Sequence, residues 1–236
     1  ASEALRLARD ARRVIEEICG TPGKICGVTT IVEGRSEGDD IVAGEVRFPT
    51  LRRQQPDESG RYPAVADYVA PKGDYIGAFA VAVHTEDDVA RLEAEGDSYG
   101  SLLVQTVSHR VAEAAAEWLH RHVRRELWGY AKDEPDMSLD ELYEGKYSGI
   151  RPAMGYPSMP DQTLNLELDR LLSMGEIGIT LTENGAMHPS ASVSGLYISN
   201  PAARYFMLGS VGDDQLADYA RRRAMPLERV RRLLNK

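Results

Sequence analysis

The sequence predicts an α+β fold built on an antiparallel sheet with flanking helices. Its β-branched segments come in separated pairs, without the regular strand–helix–strand alternation of a doubly wound fold. The turn-forming letters GRSEGDD join the first pair and NPAA joins the last, as short polar turns join antiparallel strands. A chain of 236 residues, 42% hydrophobic and 28% charged, is long enough for one domain with a substantial core.

The first half of the chain predicts two helices around three strands. Residues 2–18 form an amphipathic helix with the apolar stripe Leu5, Ala8, Ala11, Ile15 and Ile18. KICGVTTIVE and DDIVAGEVRF predict paired strands, and the continuous apolar run YIGAFAVAV, residues 75–83, predicts a strand buried on both faces. A long helix follows over about residues 99–127, with the predicted core face Leu103, Val107, Val111, Ala114, Trp118 and Val123.

The second half predicts short helices and a last pair of strands. SLDE, from Ser138 to Glu141, is a capping box that opens a helix, and residues 161–174 predict the next helix. SVSGLYIS and RYFMLGSV predict two strands. DDQLADYARRR has acids at its start and arginines at its end, as the helix dipole favours, and Pro226 begins the last helix.

Composition excludes several classes of protein. The net charge of −9 and the pI of about 5.1 argue against a nucleic-acid surface. The longest apolar run is too short to span a bilayer, and the N-terminus ASEALRLARDARR has no signal-peptide core. Cys19 and Cys26 match neither a zinc nor a redox motif and are expected to be ordinary thiols. We therefore expect a cytoplasmic protein.

Motifs for an activated nucleophile or a metal cage are missing. The chain has no G-x-G-x-x-G, H-E-x-x-H or G-x-S-x-G. His120 and His122 are two apart and are predicted to be solvated, while His109 and Glu113 share a helix face and predict a local polar pair. If the protein is an enzyme, a cofactor or another domain supplies the reactive atom.

The segment GIRPAMGYPSMPDQ, residues 149–162, is the strongest candidate for a binding site. Arg151 offers a planar fork that suits a carboxylate. Pro152 and Pro157 stiffen the backbone, and Gly155 permits close approach of a ligand. The residues favour equally an amino-acid carboxylate as guest and a rigid crossover loop whose arginine caps a helix.

Nine segments, in order, resemble the activation domain of cobalamin-dependent methionine synthase. The resemblance covers essentially the whole chain. Each segment alone is weakly specific, but the series is specific: DDIVAG, VADYVAP, DYIGAFAV, AEAAAEWLH, WGYA, GIRPAMGYP, LTENGAMHPSASVSGLY, RYFMLGSV and DYARRR.

The resemblance implies one C-shaped α+β domain over residues 1–236, with a twisted antiparallel sheet and S-adenosylmethionine in a shallow groove. It implies a reactivation module that supports reductive methylation of cob(II)alamin in a methyltransferase. Cobalamin is bound mainly by a corrinoid-binding partner, and a flavodoxin-like protein donates the electron. Because the sulfonium is already activated, positioning is expected to suffice, with no catalytic side chain and no metal site in this chain.

The resemblance also assigns roles to residues of the candidate groove. Arg151 binds the ligand carboxylate, and Glu113 lies near the sulfonium and the amino group, where a carboxylate suits positive charge. The other expected ligand-binding residues are the backbone at Ala153 and Gly155, the ring of Tyr156, and the pair Tyr205 and Phe206. The family commonly has a second tyrosine where this chain has Phe206.

One family element has no counterpart in the sequence. It is an Asp-Trp-Thr-Pro segment whose aspartate contacts the ligand's amino group, so we expect a chain shortened at its N-terminus. Loss of that contact would cost about 1.5–3 kcal/mol. Two alternatives remain: a docking module that caps a corrinoid domain without binding S-adenosylmethionine, and a separate small-molecule enzyme that reuses the groove.

Overall fold

A computed structural model describes residues 2–234 and confirms the α+β prediction. Within them the helices are α1 (Ser2–Gly20), α2 (Glu86–Ala94), α3 (Ser98–His122), α4 (Leu139–Tyr143), α5 (Asn165–Leu172), α6 (Asp213–Arg222) and α7 (Leu227–Leu234). The strands are β1 (Ile25–Glu37), β2 (Asp40–Ala43), β3 (Val46–Pro49), β4 (Asp74–Val83), β5 (Thr180–Leu181), β6 (Met187–His188) and β7 (Ser192–Tyr197). None of the described helices is long and apolar enough to cross a membrane.

Five of the strands form one antiparallel sheet in the order β3-β2-β1-β4-β7. β1 is the longest and pairs along most of its length with β4, from Ile25 opposite Val83 to Gly34 opposite Asp74. β5 and β6 form a separate two-stranded ladder. The sheet therefore ends on one side at β7, which is the strand that positions the candidate site.

The predicted burial of β4 on both faces is confirmed. Ala78 and Ala80 point into a core shared with Leu168 of α5. Phe79 and Val81 point to the opposite face, into a core shared with α1 and α3. Because successive side chains of a strand point to opposite faces, two cores require the unbroken apolar run that the sequence shows.

Two predicted strands differ from the structure. DDIVAGEVRF forms two short strands, β2 and β3, joined by a turn at Gly44, whose φ is +57°. The predicted strand RYFMLGSV is wrong, because residues 203–212 are irregular. The free edge of β7 is already occupied by residues 150–154, so this segment has no strand to pair with.

The predicted stripe of α1 is partly wrong. Ile18 is buried, but Leu5 is 72% exposed and Ile15 is 43% exposed, whereas Val14 lies in the core. α1 packs mainly on α3, so only a narrow strip of its surface is covered. The apolar stripe predicted for α1 is therefore wider than the surface that its packing on α3 covers.

α3 rotates its buried face along its length. Leu103, Val107 and Val111 are buried as predicted, but Ala114 and Trp118 are exposed. The second half buries the small residues Ala112 and Ala116 together with His120, because here α3 lies against the large Tyr197 of β7. A π turn, Val123–Leu127, continues α3.

Candidate functional site

The loop of residues 149–162, called the Arg151 loop below, begins as an extra edge on β7. Ile150 and Ile198 exchange two backbone hydrogen bonds of 2.9 Å each. Met154 N donates to Ser194 O at 3.0 Å. The loop is thus fixed by the sheet before any ligand is considered, although its prolines exclude a regular strand.

Two glycines make this arrangement possible. A Cβ at Gly195 of β7 would lie 2.3 Å from Pro152 O and 2.8 Å from Ala153 Cα, so only glycine lets the loop approach this closely. Gly155 has a φ of +84°, a value that favours glycine, and it lets the chain turn just before Tyr156. The prediction that Gly155 serves a ligand stays a prediction; its role in the turn is visible.

Arg151 is held from two sides. Its backbone N–H donates to the Tyr205 hydroxyl at 2.8 Å, and that hydroxyl is 3.1 Å from the hydroxyl of Tyr147. Its side chain is only 15% exposed, and Nε and Nη2 donate to Glu117 Oε2 of α3 at 3.4 and 3.2 Å. The guanidinium is therefore paired with a side chain in mid-helix and does not cap a helix.

The pKa of Arg151 is raised above its ordinary value. Burial alone would lower it, but the neighbouring Tyr205, Glu117 and Tyr147 outweigh that effect. The guanidinium is therefore a permanent positive charge at the edge of the sheet.

Glu113 and Tyr156 meet on the outer side of the same site. The Tyr156 hydroxyl donates to Glu113 Oε1, while its ring remains 46% exposed. Partial burial and this hydrogen bond raise the pKa of Tyr156 to about 12. The predicted local pair of His109 with Glu113 is wrong, since Glu113 pairs with the tyrosine. Glu113 thus offers an accessible carboxylate.

The remaining predicted site residues differ in which of their atoms are available to a ligand. Ala153, itself part of the Arg151 loop, is buried, and its carbonyl accepts a 3.3 Å hydrogen bond from Tyr156 N. Phe206 packs its ring against two hydrophobic cores, so only its backbone stays available for the predicted contact. Sequence reasoning missed Glu117 and Tyr147. Glu117 lies one helical turn after Glu113 on the same face, which is a signal that could have identified it.

His120 lies beneath the site, and its burial shows that the prediction of a solvated side chain is wrong. It was expected to be solvated, yet it is fully buried and stacks on Tyr197 with ring centroids 5.0 Å apart. Burial lowers its pKa well below the ordinary value, and the positive charges of Arg124 and Arg151 lower it further. The imidazole is therefore neutral, with Nε2 3.2 Å from the Tyr130 hydroxyl.

Metal and thiol chemistry find no support in residues 2–234. No group of three His, Cys, Asp or Glu side chains in this part of the chain could hold a metal ion. Cys19 and Cys26 are free thiols.

The geometry suits a zwitterionic amino acid with an added positive charge. Arg151 provides an enclosed cation for a carboxylate, and Glu113 provides an anion beside it for an ammonium or a sulfonium. The backbone of the Arg151 loop lies between them and is rigidly bonded to β7. The site can bind and orient such a ligand, and nothing in it resembles a nucleophile paired with a base.

Comparison with known proteins identifies the family of this chain. The sequence profile described as "Vitamin B12 dependent methionine synthase, activation domain" matches residues 1–224. The structure is similar to a crystal structure described as the MetH reactivation domain bound to AdoHcy, with a TM-score of 0.89 and 37% sequence identity. The match covers 99% of this chain and 77% of that one.

Proposed function

This chain belongs to the family of vitamin B12-dependent methionine synthase activation domains, and we propose that it binds S-adenosylmethionine at the Arg151 loop. The single observation that supports this most is the enclosed guanidinium of Arg151 beside the accessible carboxylate of Glu113. The similar reactivation domain was crystallised with AdoHcy (S-adenosylhomocysteine), which has the same amino-acid end as S-adenosylmethionine.

Each charged group of the ligand has a partner in the proposal. Arg151 binds the carboxylate, and Glu113 faces the amino group and the sulfonium. The backbone at Ala153 and Gly155 lines the groove, with the Tyr156 ring beside it. Tyr205 fixes the loop through its hydroxyl, and the backbone of Phe206 continues the same wall.

S-Adenosylmethionine supplies an activated methyl group, and a corrinoid on a partner domain supplies the metal centre that accepts it. The work of this chain is to hold the ligand in one orientation. Arg151 and Glu113 do so with opposite charges at fixed positions, and the hydrogen bonds between the loop and β7 limit movement of the backbone. Positioning of this kind needs no proton transfer by a side chain.

Wider roles follow from the family and belong to the proposal. Residues 1–236 act as one reactivation domain, and the partner is a corrinoid-binding domain. The electron donor is a flavodoxin-like protein, and the whole enzyme methylates homocysteine in the cytoplasm. What supports these points is membership of the family.

Calorimetric titration with S-adenosylhomocysteine and S-adenosylmethionine tests the binding site. We expect saturable binding by the wild type and affinity weakened about tenfold to a hundredfold by Arg151→Ala, since charge-assisted hydrogen bonds contribute about 1.5–3 kcal/mol. Arg170→Ala is the matched control, because Arg170 lies exposed on α5 and pairs with Glu167 of the same helix. Absence of binding at millimolar ligand would contradict the proposal and favour the docking alternative.

A further inference from the structure

Arg151 is the first member of a row of four charged side chains that runs inward from the site. Glu117 pairs with Arg151, and its other oxygen, Oε1, lies 3.8 Å from Arg124 Nη1. Arg124 Nε donates to Glu134 Oε2 at 2.9 Å, and Glu134 Oε1 accepts from Ser148 N at 2.9 Å. The charges alternate along the row, which begins at Arg151 and ends at Glu134, bonded to Ser148 just before the Arg151 loop.

Arg124 is buried more deeply than the other members of the row. Its side chain is 1% exposed, and its guanidinium lies 4.5 Å from the ring centroid of Tyr147. A buried cation must be compensated by neighbouring anions, and Glu117 and Glu134 are those anions here. Arg124 Nη1 and Glu117 Oε1 are fully enclosed and form no hydrogen bond with a described residue, so their interaction is a charge contact.

From this row we infer that Glu117 is a positioning residue, which orients Arg151 for the ligand carboxylate and is itself held by Arg124. The inference rests on the proposed function. Glu117 takes the Nε and Nη2 edge of Arg151. The Nη1 end of the guanidinium, which donates to no described residue, is left for the ligand.

Two physical effects make this arrangement useful. A guanidinium can donate along two edges, so occupation of one edge by Glu117 selects the edge that the ligand meets. A long side chain that is already ordered loses less conformational entropy on binding than a free one. Glu117 and the ligand carboxylate therefore bind different edges of Arg151 and do not compete for one.

The test compares two ligands on two proteins. One ligand is S-adenosylhomocysteine, and the other is its decarboxylated analogue, in which hydrogen replaces the carboxylate. For Glu117→Gln, which keeps the shape and removes the charge, we expect affinity for S-adenosylhomocysteine to fall about tenfold. Affinity for the decarboxylated analogue should change less than about twofold, because that ligand does not use the oriented edge of Arg151.

Glu126→Gln is the matched control, since Glu126 lies on the same helical segment, is exposed and pairs with His122 at the surface. Thermal melts establish that each variant folds. If Glu117→Gln does not fold, Glu117→Asp keeps the charge but shortens its reach, and the same selective loss is expected. Equal losses for both ligands, or no loss, would overturn the positioning role and leave the proposed function intact. Failure of the wild type to bind S-adenosylhomocysteine would overturn both.

Discussion

The two ends of the candidate site are built differently. At one end Arg151 is 15% exposed, bonded through its backbone to Tyr205 and through its side chain to Glu117. At the other end, the one side chain of the described residues that bonds Glu113 is Tyr156, a residue that is 46% exposed. The first end is anchored in the sheet and the second faces solvent.

This difference indicates that the two ends have different roles in ligand binding. Under the proposed function, the Arg151 end receives a carboxylate and is ordered before the ligand arrives, so little entropy is lost on binding. The Glu113 end is proposed to receive positive charge, and a ligand ammonium can approach Glu113 there without opening the core. An open end also suits a site from which a methyl group must reach a partner domain.

The largest expected effect comes from breaking the anchored end. Gly195→Ala places a Cβ 2.3 Å from Pro152 O, so the Arg151 loop must move away from β7. Overpacking of this kind costs roughly 2–3 kcal/mol, and we expect a lower melting temperature together with weaker binding of S-adenosylhomocysteine. In Gly175→Ala the added Cβ meets nothing within 4 Å, so this control should behave like the wild type. Equal melting temperatures for the two variants would refute the close approach.

An intermediate effect is expected from neutralising the open end. Glu113→Gln removes the anion that faces the ligand's positive groups. S-Adenosylmethionine has a sulfonium that S-adenosylhomocysteine lacks, so we expect losses of about tenfold for the first and about threefold for the second. Glu95→Gln, on the exposed glutamate that directly follows α2, is the control. Identical losses for both ligands in calorimetry would show that Glu113 does not sense the sulfonium.

A smaller effect, on the pH dependence of stability, is expected from His120, which is buried beneath the anchored end. Because burial lowers the pKa of His120, the folded state keeps it neutral while the unfolded state takes up a proton below about pH 6.5. Stability from this group is present above that pH and is lost as the pH falls. The slope is at most about 1.4 kcal/mol per pH unit for one proton.

Urea unfolding between pH 7 and pH 5 measures that slope. His120→Phe keeps the stack on Tyr197 and should flatten the slope. A wild-type slope retained in His120→Phe would assign the pH dependence to other groups.

Much of the fold could be predicted because its signals are local. The unbroken apolar run of β4 shows burial on both faces, and the SLDE letters place the cap of α4 at Ser138. Trp118 and His120 on α3 were assigned to the wrong faces, because tertiary packing decides which face of a long helix is covered. A strand at 204–211 could not be excluded from sequence, because only the fold shows that β7 has no free edge.

Part of the site could likewise be predicted from the sequence, and part of it could not. Arg151 and Gly155 stand out because their residue types are unusual in that spacing. The family resemblance placed Glu113 and Tyr156 each at the groove, but the hydrogen bond between them was not predicted. Glu117 shares a helix face with Glu113, but neither its pairing with Arg151 nor the burial of Arg124 could be predicted from spacing. The importance of Glu117 and Arg124 depends on burial and on charges that come from distant parts of the chain, such as Glu134.

The central claim is that the anchored end is formed before the ligand binds. Amide hydrogen exchange followed by NMR tests it most directly, because Ile150 N and Met154 N are bonded to Ile198 and Ser194. We expect both amides to be protected in the free protein, with rates that change less than about threefold when S-adenosylhomocysteine saturates the site. Fast exchange in the free protein, slowing more than about tenfold with ligand, would show instead that the ligand orders the loop.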